Sequence, residues 1–311
     1  MNRIGVDLGG TNIAVGLVDE ENELIFSTTA PTRAALGAET VIGDITDCIH
    51  NALVLSGTDI EECCGVGVGA PGKCSGADGT VFHAHNLSWE GVPLGALLRE
   101  RIGLPVTVRN DADCAALGEV VAGAAKGSDS ALLLTLGTGI GGGLIINGEI
   151  YSGCSMLGGE FGHMCIVMDG EECSCGQRGC WEAYASATAL IRQGEAAAAT
   201  HPESALCTVG ALDGKTIYAA ASQGDAAAKA VIAKYAEYVG IGLVNLINML
   251  YPEVVLIGGG VSGAGEALLA PLREFAAAHY FLRGAAPLPE IRSAALGGNA
   301  GIIGAAALAA V

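Results

Sequence analysis

The strongest constraint on the fold is a pattern that occurs twice along the chain. Near the N-terminus, a buried strand over residues 3–7 enters the turn Leu8-Gly9-Gly10-Thr11, and a second strand follows. About 128 residues later, a strand over residues 131–136 enters the turn Gly137-Thr138-Gly139, and again a strand follows. Alternating helix and strand patterns continue each copy. We therefore predict an α/β fold built from a duplicated βββαβα unit.

The chain of 311 residues is long enough for two domains of ordinary size, each with its own core. Small and polar residues cluster over residues 123–130, where we place the boundary. The prediction is an N-terminal small lobe over residues 1–122 and a C-terminal large lobe over residues 123–297. A closing helix, within residues 298–311 and centred on 300–310, is expected to pack back on the first lobe.

The two glycine turns present backbone N–H groups without a Cβ in the way, which suits an anion. Either turn alone is better explained as structural. Two of them, one in each half, predict a phosphate chain bound from both sides. Because the net charge is −18, the whole-molecule field does not attract ATP, so Mg²⁺ is expected as well. Asp7 is the candidate for the metal side, and the other candidates are Gly9, Gly10, Thr11, Asn12, Gly137, Thr138 and Gly139.

One short segment contains a histidine and three closely spaced cysteines, namely His163, Cys173, Cys175 and Cys180. Three thiolates and one imidazole close a tetrahedral zinc site with no open position. Buried cysteines without a metal are the alternative. The dense Cys-x-Cys-x4-Cys spacing, broken by glycines, favours a structural zinc knuckle over residues 163–180. Glu160 and Glu182 flank it, and the metal is expected to hold both acids and the imidazole toward one ligand.

Asp111 follows a predicted strand, at the edge where an α/β fold opens its crevice. A carboxylate at this place suits the general base of a phosphoryl transfer. The N-cap of the following helix is a structural alternative, and the residues alone leave both open. Asp113 and Glu119 are assigned no role, the first as a helix-surface residue and the second as a candidate structural acid.

Composition disfavours several classes of protein. A net charge of −18 would repel a nucleic-acid backbone. The 11 cysteines are odd in number and scattered, unlike a secreted disulfide framework, and residues 3–7 read as a strand rather than a signal peptide. The apolar run over residues 301–311 is about half the roughly 20 residues that a spanning helix needs. We therefore expect a cytoplasmic protein that binds neither nucleic acid nor membrane.

These turns, together with Val255-Leu256-Ile257-Gly258-Gly259-Gly260, resemble the sugar kinase, actin and heat-shock ATPase fold, a two-lobed, ribonuclease H-like architecture. The segment from Glu160 to Glu182 resembles the ROK family within it, although Gly159 and Phe161 depart from the usual family residues. The resemblance covers essentially the whole chain. It implies a homodimeric enzyme that phosphorylates the 6-hydroxyl of a hexose with ATP and Mg²⁺, with Asp111 as the base and Zn²⁺ as a structural metal.

The resemblance also implies which residues bind which ligand. Gly258, Gly259 and Gly260 would lie against the adenosine. The hexose would contact Gly72, Asn86, Asn110, Asp111, Glu160, His163 and Glu182. His163 would bind zinc with one ring nitrogen and a sugar hydroxyl with the other.

The prediction of which hexose is phosphorylated depends on fewer residues. Residues 85–89, with Asn110 and Asp111, resemble kinases of glucose more than kinases of fructose or N-acetylmannosamine, and N-acetylglucosamine and mannose stay open as alternatives. Polyphosphate or another nucleotide remains open as the donor. The rival from another class is a non-catalytic sugar-sensing protein. Because the first strand begins at residue 3, we do not expect the helix-turn-helix of a sugar-responsive repressor.

Overall fold

The computed structural model describes residues 1–208 and 210–309, and over these ranges the chain forms thirteen strands and nine α-helices. The strands are β1 (Asn2–Leu8), β2 (Asn12–Val18), β3 (Leu24–Pro31), β4 (Cys63–Ala70), β5 (Lys73–Cys74), β6 (Val81–Ala84), β7 (Trp89–Val92), β8 (Val106–Asn110), β9 (Ala131–Leu136), β10 (Ile140–Ile146), β11 (Glu149–Ile150), β12 (Val254–Gly258) and β13 (Glu290–Ser293). The helices are α1 (Ala38–Ser56), α2 (Leu94–Ile102), α3 (Asp111–Val121), α4 (Glu182–Ala185), α5 (Ala187–Thr200), α6 (Gly214–Ser222), α7 (Ala226–Leu250), α8 (Glu266–His279) and α9 (Ala300–Leu308). Residues 310 and 311 of the expected C-terminal segment lie outside the described residues.

The chain forms two compact units. The first comprises residues 1–133, 143–159 and 295–311, and the second comprises residues 134–142 and 160–294. These bounds show which segments pack together, and they do not test where one lobe ends and the other begins. The division into lobes over residues 1–122 and 123–297 therefore stays a prediction.

The first sheet has the order β3-β2-β1-β4-β8. β1 is antiparallel to β2 and parallel to β4, which is in turn parallel to β8. The register places Asp7 beside Gly69, and Ala70 beside Asn110. Because parallel strands end at the same edge of a sheet, the carboxyl ends of β1, β4 and β8 meet there, as an α/β fold requires of a site.

The second sheet has the order β11-β10-β9-β12-β13 and so repeats the first, strand for strand. β12 is buried at every position, which is typical of a parallel strand covered on both faces. The duplicated α/β arrangement that the sequence predicts is therefore present in the sheets.

Small residues let α9 lie directly on the first sheet. A Cβ on Gly67 of β4 would stand 1.7 Å from the carbonyl oxygen of Ala305, and a Cβ on Gly304 would stand 1.7 Å from that of Cys114. No side chain fits at such distances. Glycine at both positions therefore permits a close approach of α9 to β4 and α3 within the first unit.

α7 is long and apolar enough to span a membrane by length and composition alone, but 56% of its most apolar 18-residue window is buried. Val231, Tyr235, Val239 and Leu243 lie on its buried face. This is the pattern of a core helix.

Three local details differ from the sequence-based expectation. The sequence pattern predicts one helix over residues 181–198, but the helix is broken at Ser186, which is extended and accepts the Ala189 N–H as the N-cap of α5. The sequence pattern also predicts a helix over residues 264–278, whereas α8 begins after Gly265, where φ is 57°. The small sheet of β5, β6 and β7 has the order β5-β6-β7 and was not expected, because these strands are too short to show a period.

Candidate active site and metal centre

The first glycine turn joins β1 to β2 and carries four candidate phosphate-binding residues. The Gly9 N–H donates to the Asn12 carbonyl at 2.9 Å, and the Thr32 hydroxyl donates to the Gly9 carbonyl at 2.8 Å. A Cβ on Gly10 would lie 3.1 Å from the Cβ of Asn86. The fold thus brings the turn against a residue expected to contact the hexose, while Thr11 and Asn12 remain exposed.

Asp111 is the first residue of α3, and its neighbour Asn110 is the N-cap. The Asn110 side-chain oxygen accepts the N–H groups of Ala112 and Asp113 at 2.9 and 3.3 Å. The capping role considered for Asp111 therefore belongs to Asn110. The Asp111 carboxylate accepts the Ala112 N–H through Oδ1 at 2.9 Å, which orients it at the start of the helix.

Two carboxylates approach each other at this edge of the sheet. Burial, and after it the negative charge of Asp111, raise the pKa of Asp7 to about 6. Burial also raises the pKa of Asp111, against the lowering effect of the Ala112 N–H. A carboxylate with increased proton affinity is suited to accept a proton near neutral pH. Two acids in one half-buried place also suit Mg²⁺, which prefers oxygen ligands.

Gly72 is joined to the same edge by Asn110, whose Nδ2 donates to the Gly72 carbonyl at 3.0 Å. At Gly72 φ is 83°, and a Cβ would stand 2.0 Å from the carbonyl oxygen of His83. Glycine is therefore needed there for conformation and for space. Of the expected hexose contacts, Gly72, Asn86, Asn110 and Asp111 all lie in the first unit.

The second glycine turn lies in the other unit and is held by α5 and by Glu182. The Ala187 N–H donates to the Gly137 carbonyl, and the Thr188 hydroxyl to the Thr138 carbonyl, both at 2.8 Å. Glu182 accepts the Ile140 N–H at 2.9 Å. A Cβ on Gly139 would stand 2.2 Å from this carboxylate, so the turn rests on Glu182 directly.

The four predicted zinc ligands converge. Their ligand atoms all lie within 4.8 Å of one another, with 3.7 Å between the sulfurs of Cys175 and Cys180. Cys173 Sγ lies 3.6 Å from His163 Nδ1. A tetrahedral zinc with Zn–S of about 2.3 Å and Zn–N of about 2.0 Å places two sulfurs about 3.8 Å apart and a sulfur and a nitrogen about 3.5 Å apart. The donor set and its spacing therefore fit zinc.

The backbone between the sulfurs turns at two glycines, as expected. φ is 86° at Gly176 and 79° at Gly179, where a Cβ would stand 1.7 Å from the Val167 carbonyl oxygen. The backbone N–H of Gln177 lowers the pKa of Cys175, whereas burial raises the pKa of Cys180 to about 12. A bound cation would be needed to hold both as thiolates at neutral pH.

His163 turns its two ring nitrogens to different neighbours. Nδ1 faces Cys173, and Nε2 lies 3.8 Å from Glu160 Oε2. The Ser174 hydroxyl donates to Glu182 Oε1 at 3.2 Å, so Glu182 links the knuckle to the second glycine turn. Glu160 and Glu182 thus both lie beside the Cys/His cluster within the second unit.

A cavity of about 480 Å³ in the second unit includes Gly260 in its wall. Gly258 ends β12 in the core, and Gly259, at φ 81°, packs on the Leu136 backbone, 2.5 Å from where its Cβ would be. The rest of the wall comes from α5, α6 and the turns beside them, and includes Ala187, Ile191, Asp213, Lys215 and Tyr218. No motif marks these residues in the sequence, because they line the cavity only through helix packing.

Comparison with known proteins gives matches along nearly the whole chain. The model of the ROK family matches residues 3–311. The glucokinase of Halalkalibacterium halodurans is 39% identical over 306 residues, which cover 97% of this chain and 92% of that protein.

Two solved structures are similar at the level of fold and sequence. One is a ROK family glucokinase from Streptomyces griseus in complex with glucose and AMPPNP, with a TM-score of 0.83, 39% identity and 99% of both chains covered. The other is the ROK hexokinase from Thermus thermophilus, with a TM-score of 0.81, 35% identity, and 98% of this chain and 97% of that chain covered. Since the family model and these relatives match almost from end to end, the chain belongs to the ROK family.

Proposed function

We propose that the protein is a glucokinase, which transfers the γ-phosphoryl group of ATP to the 6-hydroxyl of glucose and releases glucose 6-phosphate and ADP. The observation that carries this assignment is the near-complete match to the Streptomyces griseus enzyme, which was solved with glucose and AMPPNP. The full-length match to the Halalkalibacterium halodurans glucokinase supports it. Paired carboxylates at the carboxyl edge of the first sheet supply chemistry of the required kind.

Asp111 is proposed as the general base. Its place at the start of α3 is set by the Asn110 cap, and burial raises its pKa, so it accepts a proton better than a solvated aspartate does. It takes the proton of the 6-hydroxyl while that oxygen attacks the γ-phosphorus and ADP leaves. The remaining catalysis comes from positioning and from neutralising charge.

The phosphates are proposed to be bound by N–H groups of the two glycine turns, Gly9, Gly10, Thr11 and Asn12 in the first unit and Gly137, Thr138 and Gly139 in the second. Asp7 would hold Mg²⁺, which neutralises phosphate charge when bound. Gly258, Gly259 and Gly260 are proposed for the nucleoside. The cavity of about 480 Å³ beside Gly260, with Tyr218 and Ile191 in its wall, supports an apolar base site.

The hexose is proposed to be bound by Gly72, Asn86, Asn110 and Asp111 together with Glu160, His163 and Glu182. A zinc ion on His163, Cys173, Cys175 and Cys180 would hold the His163 ring in one orientation, with Nδ1 on the metal and Nε2 available to a sugar hydroxyl. The zinc has a structural role in this proposal and takes no part in the chemical step.

We also propose a cytoplasmic homodimer. All eleven cysteines are free of disulfides, in keeping with a reducing compartment. An exposed apolar side chain lies near the end of α7, since the Phe281 N–H bonds to the Asn248 side chain at 2.8 Å and Phe281 is 80% exposed. Met249 and Tyr251, which follow Asn248 along the chain, are exposed as well. Light scattering on the purified protein, with Phe281→Ser as the interface variant, would measure the mass of the assembly.

The direct test measures ADP release from Mg-ATP with glucose, mannose, fructose, N-acetylglucosamine and N-acetylmannosamine. We expect turnover with a preference for glucose. Asp111→Asn should retain glucose binding and lose about 10²-fold to 10⁴-fold in kcat, because the base is removed. Asp47→Asn, on the exposed face of α1, serves as the control and should behave as the wild type. Substantial residual kcat in Asp111→Asn would contradict the base assignment, and no turnover with any sugar would favour a sugar-sensing protein.

A further inference from the structure

Residues 152–158 form a closed loop, called here the 152–158 loop. The Gly158 N–H donates to the Ser152 carbonyl at 2.8 Å, and a Cβ on Gly153 would lie 3.4 Å from the Cα of Gly158. Inside it, Ser155 and Met156 have φ of 55° and 58°, in the left-handed region. Such a backbone is costly for residues other than glycine, so the surroundings must hold it in place.

Three contacts within the first unit hold this loop. The Ser152 hydroxyl donates to Asp113 Oδ2 at 2.5 Å, and the two side chains are only 9% and 8% exposed. Lys73 Nζ donates to the Gly158 carbonyl at 3.2 Å. Met156 fills the space at Gly76, where a Cβ would stand 1.9 Å from its Cε. Asp113 is therefore a buried anchor, which corrects its assignment to the helix surface.

Each anchor adjoins residues proposed to bind the hexose. Asp113 is two residues after Asp111 on the first turn of α3. Lys73 follows Gly72, whose carbonyl accepts the Asn110 amide. The chain leaving the loop reaches Glu160 two residues after Gly158. The loop is thus tied at both ends to the backbone that carries hexose contacts.

We propose that Asp113 is a positioning residue for hexose binding, which acts through Ser152 by holding the 152–158 loop in its binding conformation. A hydroxyl that donates to a buried carboxylate makes a stronger bond than one between neutral partners, so it is suited to hold a strained backbone. Asp113 touches no reacting atom in this scheme. The proposal rests on the proposed function for the identity of the ligand as a hexose.

The test compares Ser152→Ala, which removes the donor, with Ser152→Thr, which keeps a hydroxyl. Ser152→Ala should raise both the Kd and the KM for glucose about tenfold, because one charge-assisted hydrogen bond is lost. The KM for Mg-ATP should stay within about twofold of the wild-type value. Ser152→Thr should restore most of the glucose affinity. Asp113→Ala, which removes the acceptor, should weaken glucose binding too, and adding Ser152→Ala to it should cost little more, since both remove the same bond.

Ser204→Ala is the matched control, because Ser204 is also buried and donates to an aspartate, Asp225, at 2.9 Å in the second unit. It should lower the Tm without changing the KM for glucose. The proposal is overturned if Ser152→Ala and Ser204→Ala lower the Tm alike while neither changes glucose affinity. Calorimetric Kd values separate this outcome from a failure of the proposed function, in which the wild type itself would bind no hexose.

Discussion

At the scale of single residues, Asp7 lies at the end of β1, where a Cβ on Gly301 of α9 would stand 2.6 Å from its carboxylate. Its pKa is about 6 in the folded protein, against an ordinary value of 3.8. The folded state therefore holds the proton more tightly than the unfolded chain does. The free energy of unfolding must then fall as the pH rises from about 4 to about 6, because ionisation of Asp7 opposes folding over that window.

Asp7→Asn removes this cost and should make the ligand-free protein more stable at pH 7 by up to about 3 kcal/mol, with little difference at pH 4. The same variant should lose Mg²⁺-dependent turnover. Urea unfolding at both pH values measures the first effect and ADP release the second. An equal change in stability at pH 4 and pH 7 would contradict the pKa assignment. Asp47→Asn, which is exposed, should show neither effect.

Glu119 on α3 is fully buried, with 0% exposure. Oε1 accepts the N–H groups of Ala295 and Leu296 at 2.9 and 2.8 Å, and Oε2 accepts that of Ala124 at 2.8 Å. It is therefore a structural acid that joins α3 to the segment before α9 within the first unit.

Glu119→Gln places an amide NH₂ against a backbone donor and should lower the free energy of unfolding by about 2 to 4 kcal/mol. Urea denaturation at pH 7 measures this loss. Exposed Glu61→Gln should stay within about 0.5 kcal/mol of wild type. A Glu119 variant as stable as the Glu61 control would show that these backbone groups find other partners.

At the scale of elements, the knuckle over residues 163–180 contains little regular structure of its own. Its described β-bridges, Cys165 with Cys180 and Glu172 with Arg178, are isolated ones. A segment this small does not bury enough apolar surface to hold its shape, so a metal is expected to supply the missing stability.

We expect about one zinc per chain by elemental analysis, and its loss in Cys175→Ser with a lower Tm and weaker glucose binding. Cys165→Ser is the matched control, because Cys165 lies in the same segment and is exposed but is outside the four-residue cluster. It should retain the metal. A zinc-free Cys175→Ser protein with wild-type glucose affinity would refute the role of the knuckle in placing His163 and Glu182.

At the scale of the whole molecule, the net charge of −18 predicts a salt dependence that differs between the two substrates. Raising the ionic strength from about 0.01 M to about 0.15 M shortens the Debye length from about 30 Å to about 8 Å. Since a negative protein repels Mg-ATP at long range, the KM for Mg-ATP should fall with added salt. The KM for glucose, which is neutral, should not change and is the internal control. A KM for Mg-ATP that rises steeply with salt would indicate a local cationic site instead.

Much of this molecule was predictable because its signals are local. The runs 3–7 and 131–136, each entering a glycine turn, predict the two sheets, whose strand orders match. The Cys-x-Cys-x4-Cys spacing predicts the cluster with His163, because a chain turning at Gly176 and Gly179 brings near sulfurs together without help from the rest of the fold.

What the sequence by itself determined is therefore the order of strands and turns, the candidate metal ligands, and the place of Asp111 at the end of a strand. Tertiary structure alone decided that Asn110 is the cap, that Asp113 is buried against Ser152, 39 residues away, and that Lys215 and Tyr218 line a cavity with Gly260. The physical reason is the distance along the chain over which each effect acts. Hydrophobic period and turn chemistry act over a few residues, whereas burial, carboxylate proton affinity and cavity walls depend on segments that only the packed chain brings together.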